Sequence, residues 1–111
     1  MTSEKHIDVQ PAHLALVSKI LGAHLPATAR VFVFGSRVAD RARPLSDLDL
    51  LIDAGRPLTL DETAALAEAF CESDLPYKVD LADWHVIEGW LRHVIEPQRV
   101  ELRPRDAARA R

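Results

Sequence analysis

The sequence has 111 residues, of which 48% are hydrophobic and 28% are charged, and its formal net charge is −3 at pH 7. These proportions favour one globular domain over residues 1–111, exclude an intrinsically disordered chain, and give no reason to expect direct binding of nucleic acid. The single cysteine, Cys71, excludes a disulfide framework, and no apolar run approaches the roughly eighteen residues of a membrane span, so we expect a cytoplasmic protein without a membrane anchor.

The first half of the chain predicts one helix and two strands. Pro11 suits the first turn of a helix, and apolar residues then recur at helical spacing until Pro26. The apolar, β-rich run 31–34 is typical of a strand buried on both faces. After an arginine-rich loop or short helical turn over residues 37–46, a second strand over residues 47–53 alternates its side chains between two faces.

The second half predicts two further helices and two strands. Thr59 and Glu62 match a capping box, and the helix that they open is expected to end near Asp74. Its buried side is predicted to hold Leu66, Ala67, Phe70 and Cys71. Residues 78–83 alternate as a third strand, and residues 99–103 favour a short edge strand. The helix between these two strands is predicted to have its apolar stripe on Ile87, Trp90, Leu91, Val94 and Ile95.

This order of elements predicts an α/β (α+β) fold in which a small mixed β-sheet is covered by helices. The core of the domain is expected over about residues 12–103. The segment 103–111 carries four arginines in nine residues. We expect the tail 104–111 to be disordered, as chain termini often are, and the alternative is a tail that docks a partner or touches RNA.

Two carboxylates on the second strand are the first chemical feature. Asp47 and Asp49 are two residues apart, so their side chains leave the same face of a strand about 7 Å apart at the backbone. In a poorly hydrated cleft they would repel each other by roughly 3 kcal/mol, so they must be either solvated or neutralised by cations. Mg²⁺ prefers oxygen ligands, which makes the pair a candidate metal site, although most Asp-x-Asp pairs are simply solvated.

Neighbouring segments add groups that suit a phosphate. Gly35 and Ser36 follow a buried strand, where glycine allows main-chain N–H groups to approach an anion and serine adds a hydroxyl donor. Arg37 comes next and is the one arginine that we place in the nucleotide site. Asp80 lies in the middle of the third strand, where a carboxylate gains nothing from packing. A third carboxylate beside a metal pair can accept a proton or share a metal ion.

These motifs resemble those of a known family. Gly35-Ser36, followed after ten residues by Asp47-Leu48-Asp49, resembles the signature of the polymerase-β-like nucleotidyltransferases. The stretch 34–52, together with Val79-Asp80-Leu81, looks like the minimal nucleotidyltransferase branch, the antitoxin half of HEPN/MNT toxin–antitoxin pairs. The resemblance covers roughly residues 12–103 and implies a polymerase-β-like nucleotidyltransferase fold.

The resemblance also implies roles for individual residues. Asp47 and Asp49 are expected to bind two Mg²⁺ ions, Asp80 completes this catalytic and metal-binding triad and is the candidate base, and Gly35 and Ser36 hold the triphosphate. The implied reaction is attack of an acceptor hydroxyl on the α-phosphorus of ATP with release of pyrophosphate. Two metal ions suit this chemistry because they offset charge on the phosphate.

The length of the chain bears on the acceptor. We expect no separate acceptor-binding domain, so the acceptor should bring its own binding surface, as a protein does. The resemblance implies AMP transfer to a tyrosine hydroxyl of a HEPN ribonuclease toxin, which forms a hetero-oligomer with the antitoxin. Two alternatives remain open at this point. One is a non-catalytic antitoxin that occludes its toxin, and the other is a small-molecule nucleotidyltransferase that acts as a dimer.

Overall fold

The computed structural model describes residues 6–102. Within this range the chain forms three α-helices, one 3₁₀ turn and four strands. In chain order these are α1 (Pro11–His24), β1 (Arg30–Phe34), the 3₁₀ turn (Gly35–Val38), β2 (Leu48–Asp53), α2 (Leu60–Cys71), β3 (Val79–Asp83), α3 (Gly89–Ile95) and β4 (Val100–Glu101). Each predicted helix and strand is present. The tail 104–111, for which we predict disorder, lies outside the described residues.

The four strands form one mixed sheet in the order β3-β2-β1-β4. β1 runs antiparallel to both β2 and β4, whereas β2 and β3 are parallel. The parallel pair needs a crossover connection, and α2 supplies it. The predicted mixed sheet covered by helices is therefore confirmed. None of the helices within residues 6–102 is both long and apolar enough to cross a bilayer.

Helices cover both faces of the sheet, and the alternation along β2 decides which side chains they meet. Leu48, Leu50 and Ile52 are fully buried in the cluster that includes residues of α1 and α2. Leu51 points to the other face and packs with Phe32 and with residues of α3. Because side chains alternate along a strand, Asp49 shares the α3 face with Leu51.

The capping box of α2 is present, but the helix is shorter than predicted. The Thr59 hydroxyl accepts from the Glu62 N–H at 3.1 Å, and the Glu62 carboxylate accepts from the Thr59 N–H at 2.8 Å. The helix ends at Cys71 instead of near Asp74. Leu66 and Phe70 are buried as predicted, whereas Ala67 and Cys71 are exposed. Those two residues lie about 100° further round the helix and face away from the sheet.

The apolar stripe of α3 is narrower than predicted. Ile95 is buried, and Ile87 and Leu91 pack against the same cluster. Leu91 and Ile95 are four apart and lie on one side of the helix, whereas Ile87 precedes the helix, which begins at Gly89. Trp90 and Val94 lie about one residue off this line, and they remain 64% and 51% exposed. The predicted stripe is therefore buried or partly buried at Ile87, Leu91 and Ile95 and exposed at these two residues.

Candidate active site

Pairing of three strands brings two of the predicted carboxylates together. Asp49 on β2 lies opposite Asp80 on the parallel strand β3 and opposite Phe34, the last residue of β1. Adjacent strands lie about 4.8 Å apart, so the Asp49 and Asp80 side chains stand next to each other on the α3 face. Asp47 directly precedes β2 at the same end of the sheet. The site therefore lies where β1 ends and β2 and β3 begin.

The three carboxylates act on one another electrostatically. Partial burial raises the pKa of Asp49 above its ordinary value, and the negative charges of Asp80 and Asp47 raise it further. Lys78 offsets part of this charge, because its Nζ lies 3.3 Å from Asp80 Oδ1. Both side chains are well exposed, at 72% and 44%, so this ion pair is weak.

Gly35 packs directly against Asp49. Its φ angle is +79°, which lies in the left-handed region of backbone conformation. A residue with a Cβ atom would be strained there, whereas glycine is not. A Cβ atom at this position would overlap the Asp49 carboxylate. The Gly35 N–H donates to Gln98 Oε1 at 3.1 Å. In this structure, then, Gly35 contributes close approach to Asp49, while its N–H group is engaged by a side chain.

Ser36 supplies a free donor beside this contact. Its carbonyl oxygen accepts from the N–H groups of Ala39 and Arg41, at 3.3 and 3.2 Å, which closes the 3₁₀ turn and the bend after it. The residue is half-buried, and its hydroxyl makes no hydrogen bond to the residues that the structure describes. A hydroxyl held on a closed turn, with its hydrogen-bonding capacity unused, suits a phosphate oxygen.

Arg37 does not have the surroundings that we expect of a nucleotide ligand. It is only 5% exposed. Its Nε and Nη2 donate to the Ser46 carbonyl at 3.2 and 2.7 Å, and its Nη1 donates to the Asp8 carbonyl at 2.8 Å. Its guanidinium also lies 4.1 Å from the centre of the Tyr77 ring. Main-chain carbonyls use its donors, so this geometry argues against the predicted contact with the triphosphate.

The contacts of Arg37 give it a positioning role. Ser46 directly precedes Asp47, and two N–H groups of Arg37 hold the Ser46 carbonyl. A third contact, from Nη2 to the Pro44 carbonyl at 3.2 Å, holds the loop two residues earlier. The guanidinium thereby ties the 3₁₀ turn to the loop that delivers Asp47. A planar fork of five donors suits such a role, because it can bind several carbonyl groups at once.

The carboxylates suit a metal ion that shares its ligands with a substrate. No three Asp, Glu, His or Cys side chains within residues 6–102 gather closely enough to hold a metal ion unaided. Mg²⁺ usually takes one or two carboxylates and completes its shell with water and substrate phosphates. Burial first, and then the charges of Asp80 and Asp47, raise the pKa of Asp49, and a bound cation would offset the part that is due to those charges. Asp47, Asp49 and Asp80 therefore fit Mg²⁺ that arrives with a triphosphate.

Gln98 is the residue of this site that the motifs do not reveal. It lies in the loop between α3 and β4, and its side chain reaches both Gly35 and the Val94 carbonyl. A lone glutamine after a helix carries no sequence signal. Only the pairing of β4 with β1 brings it to the glycine turn.

Comparison with known proteins places the chain among nucleotidyltransferases. A family model described as polymerase beta nucleotidyltransferase matches residues 17–107. A relative from Haemophilus influenzae, named probable protein adenylyltransferase MntA, is 40% identical over 106 residues. The match covers 96% of this chain and 92% of the relative.

Solved structures with the same fold include toxin–antitoxin complexes. One is a toxin–antitoxin with AMP-PNP, and it matches with a TM-score of 0.69 and 22% identity over 87% of this chain and 82% of the other. A second is a tri-AMPylated Shewanella oneidensis HEPN toxin in complex with its MNT antitoxin, with a TM-score of 0.67 and 22% identity over 92% of this chain and 83% of the other. At 22% sequence identity this similarity shows that the fold is shared, and it shows no more than that.

Proposed function

The chain belongs to the polymerase β nucleotidyltransferase family, and from that premise we propose that it transfers AMP from ATP to a hydroxyl group of a HEPN-type toxin and so acts as its antitoxin. The observation that carries this proposal is the position of Asp49, which lies against Gly35 of the Gly35-Ser36 turn and beside Asp80 on the next strand. Strand register places Asp80 beside Asp49, and because Gly35 has no side chain the turn can lie directly against Asp49. The carboxylates suit the metal ions and the Gly35-Ser36 turn suits the phosphates, so the two together suit a metal-bound triphosphate better than either does alone.

The chemistry assigns one task to each group. The acceptor oxygen attacks the α-phosphorus of ATP, the bond from that phosphorus to the bridging oxygen breaks, and pyrophosphate leaves. Asp80 takes the proton of the attacking hydroxyl, and the Ser36 hydroxyl donates to the triphosphate. Asp47 and Asp49 would hold Mg²⁺, two ions in the full assembly, which offsets charge on the phosphates. Asp80 stands beside Asp49 in register, so one site can hold both the nucleotide and the attacking hydroxyl.

A protein acceptor is the choice that the comparisons support. The Haemophilus relative is named as a protein adenylyltransferase, and a structure of the same fold holds an AMPylated HEPN toxin with its antitoxin. We therefore propose a tyrosine hydroxyl of the cognate toxin as the acceptor, with ATP as the nucleotide. Neutralisation then results from covalent modification, and the rival view is neutralisation by occlusion without catalysis.

Mass spectrometry of the toxin tests this proposal. Toxin mixed with this protein, ATP and Mg²⁺ should gain mass in whole units of AMP and lose ribonuclease activity. Asp47→Asn and Asp49→Asn should each prevent the mass gain, while Asp74→Asn, a change of the same kind at an exposed position, should not. If the Asp47→Asn, Asp49→Asn double variant still neutralises the toxin and no mass shift appears, occlusion is the mechanism.

The proposed base has its own kinetic test. Asp80→Asn should slow the transfer step more than it weakens ATP binding, because a base acts on the acceptor hydroxyl and not on the nucleotide. Single-turnover transfer and calorimetric binding of ATP, measured on the same preparation, separate the two effects. Equal losses in both would make Asp80 a metal ligand alone.

A further inference from the structure

Gln98 lies opposite the glycine of the phosphate turn. β4 pairs with β1 through Val33↔Val100 and Phe32↔Glu101. Continued by two residues, the same antiparallel register places Gln98 opposite Gly35. The main-chain pairing has ended at this point, and the Gln98 side chain replaces it, because its Oε1 accepts from the Gly35 N–H at 3.1 Å.

The other end of the same amide group binds α3. Gln98 Nε2 donates to the Val94 carbonyl at 3.1 Å, and the Gln98 N–H donates to the Ile95 carbonyl at 3.0 Å. The last carbonyl groups of a helix have no partner within the helix, so both contacts satisfy the end of α3. One side chain thus joins the end of α3 to the turn that lies against Asp49.

The orientation of the Gly35 peptide matters for two neighbours. Its left-handed conformation brings Gly35 against the Asp49 carboxylate and starts the turn that carries Ser36. A glycine can leave this conformation easily, because it lacks the steric limits of other residues. An acceptor fixed at its N–H group restricts that freedom. Within residues 6–102, Gln98 Oε1 is the acceptor that the Gly35 N–H uses.

We propose that Gln98 is a positioning residue for nucleotide binding, which holds the Gly35-Ser36 turn in the conformation that receives the triphosphate. This role rests on the proposed function, since it assigns Gln98 to the same nucleotide site. Gln98 acts through Gly35 and does not itself touch the reacting atoms. Its loss raises the cost of ordering the turn around ATP, so the effect falls on the binding of ATP more than on the binding of toxin.

Two variants distinguish the role of the Gln98 side-chain oxygen from that of its amino group, and a third variant is the control. Gln98→Met keeps the length of the side chain but removes both the acceptor and the donor. Gln98→Glu keeps an acceptor for the Gly35 N–H and removes the donor to Val94. Gln10→Met is the matched control, because Gln10 is exposed and its side chain makes no capping hydrogen bond.

Amide exchange and kinetics give the two readouts. Gln98→Met should speed hydrogen exchange of the Gly35 amide about tenfold and raise KM for ATP about tenfold, with KM for toxin within about twofold of the parent. Gln98→Glu should keep the Gly35 exchange rate near that of the parent, and Gln10→Met should change neither quantity. If Gln98→Met does not fold, Gln98→Asn removes the same contact with one methylene fewer.

The outcomes distinguish this inference from the function on which it rests. Equal Gly35 exchange, or equal KM for ATP, in the parent and Gln98→Met would overturn the role of Gln98 while the transferase function stands. Equal acceleration of Gly35 exchange in Gln98→Glu and Gln98→Met would assign the effect to the helix end and would also overturn it. A parent protein that binds no ATP in Mg²⁺ would contradict the proposed function itself.

Discussion

Asp49 is the residue that contacts the glycine turn and also carries the raised pKa of the site. It touches Gly35, pairs in register with Asp80, and carries a raised pKa because it is partly buried beside two other carboxylates. A raised pKa means that the folded protein favours the protonated form. Ionisation of Asp49 therefore works against folding when no cation is bound.

Replacing Asp49 by asparagine should abolish transfer without weakening the metal-free fold. Below the ordinary pKa of 3.8 the parent and Asp49→Asn should be about equally stable. As the pH rises through the raised pKa of Asp49, the parent loses stability relative to the variant, so the variant should be as stable as the parent or slightly more stable at pH 7. Denaturant unfolding in EDTA between pH 3 and 7 measures this. A variant that unfolds more easily at pH 7 would make Asp49 a structural residue.

We predict that Arg37 contributes to stability and not to ATP binding, and a variant that keeps its positive charge but loses the guanidinium donors tests this. Arg37→Lys loses contacts to the Ser46 and Asp8 carbonyls, and we expect it to lower the free energy of unfolding by roughly 2–4 kcal/mol. Arg41→Lys, at an exposed position, is the control. Urea unfolding gives the stability and calorimetry gives ATP binding. Unchanged stability with lost ATP binding would restore the predicted nucleotide role of Arg37.

Among the elements, α2 depends on its first turn. Thr59 and Glu62 exchange hydrogen bonds, and Arg56 binds the same Glu62 carboxylate at 2.7 Å. The bonds from Arg56 and from the Thr59 N–H lower the pKa of Glu62 to about 2. This carboxylate stabilises the fold above its ordinary pKa of 4.5, and its contribution is lost as the pH falls from there to about 2.

Breaking the capping box should destabilise the protein without changing its chemistry. Thr59→Ala removes the acceptor for the Glu62 N–H and should cost about 1 kcal/mol. Glu62→Gln should unfold more easily than the parent at pH 7, and the difference should disappear as the pH approaches 2. Thermal unfolding across this range tests both variants, with transfer activity below the melting temperature as the control. A difference that stays constant with pH would contradict the assignment to the Glu62 carboxylate.

The elements also show what the sequence can and cannot predict. Strong local patterns predicted the three helices and four strands, because Pro11, the capping box and the alternation along β2 act over a few residues. The predicted burial of Cys71 was wrong, and the buried stripe of α3 leaves out Trp90 and Val94, since the width of a buried stripe depends on what packs against it. The part that Gln98 takes in the site depends on strand register, and nothing local encodes that register.

At the scale of the whole molecule, the strand order creates the site. β1 and β2 are the two inner strands, so the glycine turn that ends β1 lies beside the start of β2 and close to that of β3. Residues from three separate segments then meet at one end of the sheet. The motif spacing predicted the group, whereas the contacts of each member, such as Gly35 against Asp49, come from the sheet.

Binding of ATP should therefore require a divalent ion and should stabilise the whole fold only when that ion is present. The charges of Asp47, Asp49 and Asp80 repel a triphosphate, and within residues 6–102 Lys78 is the cation that pairs with one of them. A ligand at one hundred times its Kd adds about 2.7 kcal/mol to the free energy of unfolding. ATP with Mg²⁺ should raise Tm accordingly, ATP with EDTA should not, and calorimetry should show the same contrast.

Asp74→Asn should behave as the parent does, and Asp47→Asn should lose most of the shift in Tm. Equal stabilisation with Mg²⁺ and with EDTA would remove the metal ion from the site and leave Ser36 and the turn as the whole of the nucleotide contact.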